Sequence, residues 1–146
     1  MKALLLSLIS LPIMANNSPC QGATGEYYTN LSGEKGGFVA HTARVSGNAY
    51  IGKNASVCEN AHVFGYAQVT GNAIIKGNAK VYDYARVWGN AMVFDNAEVF
   101  EEAGVWENAM AFGDSRIYGF AGLKGNVRVY GVARMYDATY SSGQYY

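Results

Sequence analysis

The sequence predicts an all-β fold, a parallel β-solenoid wound as a triangular prism with 18 residues per coil, and three observations carry that expectation. From Val39 to Tyr140 the chain repeats every six residues without a break, giving seventeen hexads that begin VAHTAR, VSGNAY, IGKNAS, VCENAH. Position 1 of the hexad is Val, Ile, Leu or Met except at Ala111, and position 5 is Ala in fourteen repeats, the exceptions being Ser115, Val127 and Thr139. Every third hexad also shares a character at positions 2 and 4, reading Ser46/Asn48, Phe64/Tyr66, Tyr82/Tyr84, Phe100/Glu102, Tyr118/Phe120 and Tyr136/Ala138. An unbroken short period marks a structure built by stacking, and three hexads per turn give nearly six coils.

Taken in chain order, residues 1–15, MKALLLSLISLPIMA, place one Lys2 before an apolar run too short to span a bilayer. That is the shape of a secretory signal, with cleavage expected after Ala15; the alternative is a strand or helix belonging to the fold. A signal implies export to the periplasm, cell surface or medium, and its absence implies the cytoplasm. Residues 16–38 are expected to cap one end of the solenoid. In an oxidising compartment Cys20 and Cys58 could close one disulfide, two free thiols being the alternative. Asn17, Ser18 and Pro19 stand where a lipid-attachment site would carry its leucine pattern, which argues against a lipid anchor.

Residues 39–140 form the solenoid proper. A β-branched residue at position 1 favours extended backbone with the side chain turned inward, and a small residue at position 5 suits a tight corner. The corner itself falls at positions 3 and 4, where Gly-Asn recurs, and both residues are expected to supply positive φ. One hexad cannot fold alone, because a buried Val contributes about 1.5–3 kcal/mol against about 1–2 kcal/mol for each residue fixed. Stacking must supply the difference. No proline follows Pro19, so nothing interrupts the ladders. An amphipathic helix is excluded because apolar residues do not recur at helical spacing. Residues 141–146, SSGQYY, read as a short tail.

These hexads, together with the lead-in Gly36-Gly37-Phe38-Val39, resemble the hexapeptide-repeat superfamily, whose members form left-handed parallel β-helices and include bacterial proteins loosely labelled acetyltransferases. Left-handed winding is implied by the resemblance alone. It also implies an acyl-coenzyme A transferase as the alternative function, with a histidine as general base in a cleft between subunits. The only histidines are His41, at a corner, and His62, on a strand. General-base work needs a cleft and a neighbour to tune the imidazole, and no inserted loop is present to build one, so both read as surface residues.

Residues flanking each inward position point outward, and the three faces then differ. The first carries Ile74/Lys76, Met92/Phe94, Met110/Phe112 and Arg128/Tyr130. Its apolar stripe, Ile74, Met92, Phe94, Met110 and Phe112, is expected to be a subunit interface or to be covered by residues 16–38, whose reach falls short of its C-terminal part. The second carries an aromatic column, Phe64, Tyr82, Phe100, Tyr118 and Tyr136, beside His62, Lys80, Glu98, Arg116 and Arg134, with Tyr66, Tyr84 and Phe120 at its corner. Stacked rings stabilise neighbouring strands; with adjacent cations they are also a candidate surface for a polysaccharide or other extended polymer. The third face is mixed: Gln68/Thr70, Arg86/Trp88, Gly104/Trp106 and Gly122/Lys124. The corner column Asn54, Asn72, Asn90, Asn108 and Asn126 is expected to be structural, its amides bonding from coil to coil.

Charge excludes little: eleven basic residues balance eleven acidic ones, which gives no global reason to expect nucleic acid. Two histidines 21 residues apart do not make a zinc set. Acids at the corners (Asp83, Asp95, Glu101, Glu107) are not doubled as in calcium-binding rolls. Thr70 is the only threonine between Ala43 and Ala138, so the threonine columns of ice-binding surfaces are missing. No cofactor, metal or membrane span is expected. The function that follows is a non-catalytic solenoid, exported, that self-associates or binds a surface polymer such as glycan.

Overall fold

The computed structural model describes residues 19–146, so the expected signal over 1–15 lies outside the described residues. They contain no helix; instead, short parallel strands stack into three sheets. The first sheet runs from the N-terminal end through Ser56–Val57, Ile74–Ile75, Met92–Val93, Met110–Ala111 and Arg128–Val129 to Gln144–Tyr145. The second runs from Arg44–Val45 to Arg134–Tyr136 and the third from Tyr50–Ile51 to Thr139–Tyr140, six strands each. The register is 18 residues through the body of the rod: Met92 pairs with Met110, Glu98 with Arg116, Arg86 with Gly104. The chain is thus a β-solenoid of about six turns.

Position 1 forms the axis. Val57, Val63, Val69, Val81, Val87, Val93, Val99 and Val105 are completely buried, with Ile51, Ile75, Ile117 and Leu123 continuing their columns. The position-5 alanines from Ala49 to Ala121 are buried beside them, where a larger side chain would push the corner outward. Coil-to-coil backbone bonds run through strand and corner alike, for example Trp88 N–H to the Val105 carbonyl at 3.0 Å and Asn90 N–H to the Glu107 carbonyl at 2.7 Å.

The corners correct one expectation. Only position 3 takes positive φ; none of the asparagines at position 4 does. Glycine serves at most corners, but Glu59, Asp83, Asp95, Glu101, Glu107 and Asp137 adopt the same conformation at φ between 47° and 60°. A side chain there costs about 1–2 kcal/mol, and a compensating contact is visible at each. The Glu59, Glu101 and Glu107 carboxylates accept the N–H of the next coil's corner, from Gly77, Gly119 and Gly125, at 2.8, 2.7 and 2.7 Å. Asp83 and Asp95 do the same for Glu101 and Gly113 at 3.2 and 3.1 Å, and Asp137 accepts from Phe120 at 3.0 Å. A bond to a charged acceptor contributes about 1.5–3 kcal/mol, enough to offset the strain. Asparagine at position 4 is suited by its amide: Asn72, Asn90, Asn108 and Asn126 form one side-chain ladder at 3.2–3.4 Å, and Asn78, Asn96 and Asp114 a second.

The two ends differ. At the N-terminal end β1 (Gly25–Thr29) pairs antiparallel with β2 (Lys35–Ala40), and β2 begins the parallel stack of the first sheet. A Cβ on Gly37 would overlap the Ala55 carbonyl oxygen, and one on Gly36 would lie 2.5 Å from that of Ile51. The paired glycines let this hairpin lie directly on the next coil. Buried Asn30 then closes the third sheet. Its amide donates to the Ile51 carbonyl and accepts from the Ile51 N–H, both at 2.9 Å, so one side chain takes the place of a missing strand. Cys20 and Cys58 are joined as a disulfide that ties the segment before β1 to the first face.

At the C-terminal end the six-residue step is lost. Leu123 pairs with Tyr140 and Val129 with Tyr145, so the last inward positions, Met135, Tyr140 and Tyr145, come every five residues. The SSGQYY segment, expected as a tail, therefore contributes a strand. The physical reason is two tight bends in this turn. It can tighten through Asp137 and Gly143, both at positive φ, and lay Tyr140 and Tyr145 edge to face at 5.2 Å over the end of the core.

Candidate functional site

On the second face the aromatic column is continuous. Phe64, Tyr82, Phe100, Tyr118 and Tyr136 stack with ring centres 4.8, 5.0, 5.3 and 5.9 Å apart and planes within 18° of parallel. The coil spacing dictates this, since parallel strands lie about 4.8 Å apart and each ring repeats that offset. Each inner ring has both of its faces against neighbours, so a molecule alongside meets ring edges. Beside it stand Arg44, His62, Lys80, Glu98, Arg116 and Arg134, paired strand to strand. Glu98 is the one acid in this column and lies 3.6 Å from Lys80 Nζ and 3.7 Å from Arg116 Nε. Burial, then the nearby Glu98 and Asp83 carboxylates, push the Tyr82 phenol up to about 12, although Arg116 acts in the opposite sense.

His62 and His41, expected on open surface without a cleft, line a common cavity of about 710 Å³ at the N-terminal end, together with Glu26, Tyr28, Arg44 and Ser46. The β1–β2 hairpin supplies the wall that an inserted loop would have supplied. His62 Nε2 lies 3.3 Å from Ser46 Oγ, and His41 Nε2 lies 3.7 Å from Glu26. Burial first, then Arg44 and Lys80, hold the His62 imidazole below its ordinary value, which leaves it neutral near pH 7.

The first face carries a second ring column. Phe94, Phe112, Tyr130 and Tyr146 stack at 4.7, 5.2 and 5.6 Å, and Lys76 Nζ sits 5.4 Å from the Phe94 ring centre at its head. The segment Pro19–Ala23 lies against the start of the stripe, sharing a depression with Cys58, Glu59, Ile74, Lys76 and Met92. Met110 and Phe112 lie beyond it and are half-buried.

The third face holds a groove that the sequence did not single out. Gly104 and Gly122 leave two successive gaps in the column headed by Tyr50, Gln68 and Arg86. Trp88 and Trp106, stacked at 4.7 Å, lean over them from one side, and Tyr84, Glu102 and Phe120 rise from the corner on the other. The groove encloses about 440 Å³ and ends at Thr139. Tyr66 and Tyr84 stack at 5.1 Å, but Phe120 has no ring neighbour among the described residues and is 69% exposed. The readable signal was a pair of glycines 18 residues apart beside a pair of tryptophans 18 residues apart.

Among the described residues no group of three or more His, Cys, Asp or Glu could hold a metal, and no helix is long and apolar enough to cross a membrane. Compared with protein-family models, curated proteins and solved structures, the chain matches none.

Proposed function

We propose that this protein is a non-catalytic structural and binding solenoid of the hexapeptide-repeat type, wound left-handed and exported, that associates with copies of itself and holds a surface polymer such as a glycan against its aromatic side. The observation that supports this reading is the coil-to-coil registry of like side chains. Aromatic, charged and amide groups each recur at one spacing along a stiff ladder, an arrangement suited to a ligand that itself repeats. Self-association is supported by Met110 and Phe112, apolar residues that Pro19–Ala23 does not reach. The test is retention on immobilised polysaccharides, followed by sedimentation over a range of concentrations. Retention by the wild type that is lost on aromatic-to-alanine substitution with the fold intact supports polymer binding, and unchanged retention removes it. A sample monomeric at every concentration removes self-association.

A second reading, an acyltransferase using acyl-coenzyme A, is favoured by the shared cavity of His41 and His62 and by the neutral imidazole beside Ser46. Saturable acetyl-coenzyme A binding that disappears in His62→Ala would place this reading first.

A further inference from the structure

We infer that the groove on the third face, between the tryptophan pair and the Tyr84–Phe120 corner, is a binding site for a neutral, extended oligosaccharide. The inference rests on the polymer-binding reading and assigns it a place other than the second-face ring column.

The groove is built by deletion. A Cβ at Gly122 would lie 2.6 Å from Trp106 Cη2, and one at Gly104 would lie 3.0 Å from Trp106 Cζ3, so the indoles occupy the space that side chains at these two positions would need. Ring faces decide between the two aromatic surfaces. A sugar ring stacks through its C–H face on the face of an aromatic ring, and on the second face those are taken by neighbouring rings. In the groove, Phe120 has Glu102 and Ala138, not rings, 18 residues to either side of it and is 69% exposed. Among the described residues Tyr84 is stacked only on Tyr66, and it is 59% exposed. Tyr84 and Phe120 are two coils apart, about 10 Å, which suits contact with separated units of one chain.

Charge selects the ligand class. Arg86 and Glu102 line the groove with one charge of each sign, and neither side chain has a hydrogen-bond or ion-pair partner among the described residues. A guanidinium that donates and a carboxylate that accepts suit hydroxyl groups, which do both. A polyanion would meet Glu102 and a polycation Arg86. A peptide strand is disfavoured because the groove crosses the strands, whose backbone groups are already bonded coil to coil.

The chain contains two tryptophans, and both line this groove. Intrinsic fluorescence therefore reports on its occupancy directly. The titrants are hexamers of β-linked glucose, β-linked N-acetylglucosamine, α-linked glucose and mannose, with oligogalacturonate and oligolysine as charged comparisons. At least one neutral hexamer should shift the emission saturably. Tyr84→Ala and Phe120→Ala should each weaken binding about fivefold, the loss of one stacking contact, and Glu102→Gln should also weaken it. Tyr82→Ala and Tyr118→Ala on the second face should leave affinity unchanged, with circular dichroism confirming each fold. If polysaccharide retention is lost in the second-face variants and kept in the groove variants, the groove assignment fails while polymer binding stands. No retention and no shift with any neutral hexamer overturns both, and a shift with a charged oligomer alone overturns the neutral class.

Discussion

Ser115 shows how little the repeat tolerates at its corner. It stands where fourteen other hexads have alanine, is fully buried, and its hydroxyl has no hydrogen-bond partner among the described residues. A buried unpaired hydroxyl costs about 1–3 kcal/mol, so Ser115→Ala should raise stability by about 1 kcal/mol, measured by urea denaturation. A loss of stability would show that the hydroxyl is satisfied. Tyr82 gives a pH-dependent counterpart. Its folded pKa is raised to about 12 from an ordinary 10.0, so above pH 10 the unfolded chain releases a proton that the folded chain keeps. The contribution from this phenol is complete below pH 10 and is lost as pH rises through about 12. Spectrophotometric titration should therefore find a late-ionising tyrosine that is absent in Tyr82→Phe. Glu98→Gln should bring it down without restoring the ordinary value, because burial is the larger cause.

At the scale of the element, the coil was legible because its two requirements leave separate marks, a β-branched residue facing the axis and a small one at the corner. The corner chemistry was only half legible. Gly-Asn suggested positive φ for both residues, yet the asparagine serves its amide ladder, and the acids that looked unassigned, such as Glu101 and Glu107, accept the N–H of the next corner. The five-residue steps at Tyr140 and Tyr145 were hidden because MYDATY still satisfies the six-residue pattern, while the spacing there follows the pairing of Tyr140 with Leu123 and of Tyr145 with Val129. Asn30 lies outside any repeat, and no local pattern marks a side chain that pairs with a strand 21 residues away. Asn30→Ala would strand the Ile51 N–H and carbonyl in a buried setting. It should cost about 1–3 kcal/mol for each group left unpaired, read as a lower denaturation midpoint with faster hydrogen exchange at Ile51. Unchanged exchange would mean that another group closes the third sheet.

At the scale of the molecule, a rod with three columned faces emerges, and the faces differ in what they leave available. Much of the candidate surface was legible, because a fixed count assigns every side chain its face: the second-face column and the apolar stripe lie where their spacing put them. The groove was not, since it is made by the side chains that Gly104 and Gly122 lack and by the lean of two indoles, which a residue count does not carry. The cavity holding His41 and His62 was hidden likewise, because it needs the β1–β2 hairpin folded over the first coil. If the rod works by matching a repeating ligand to its own repeat, affinity must depend on ligand length. The direct measurement is calorimetric titration with a series of neutral oligosaccharides from dimer to octamer. Affinity should rise with each added unit until the chain spans the groove from Arg86 to Thr139 and then level off; equal affinity for every length, or no heat at any length, would contradict the account.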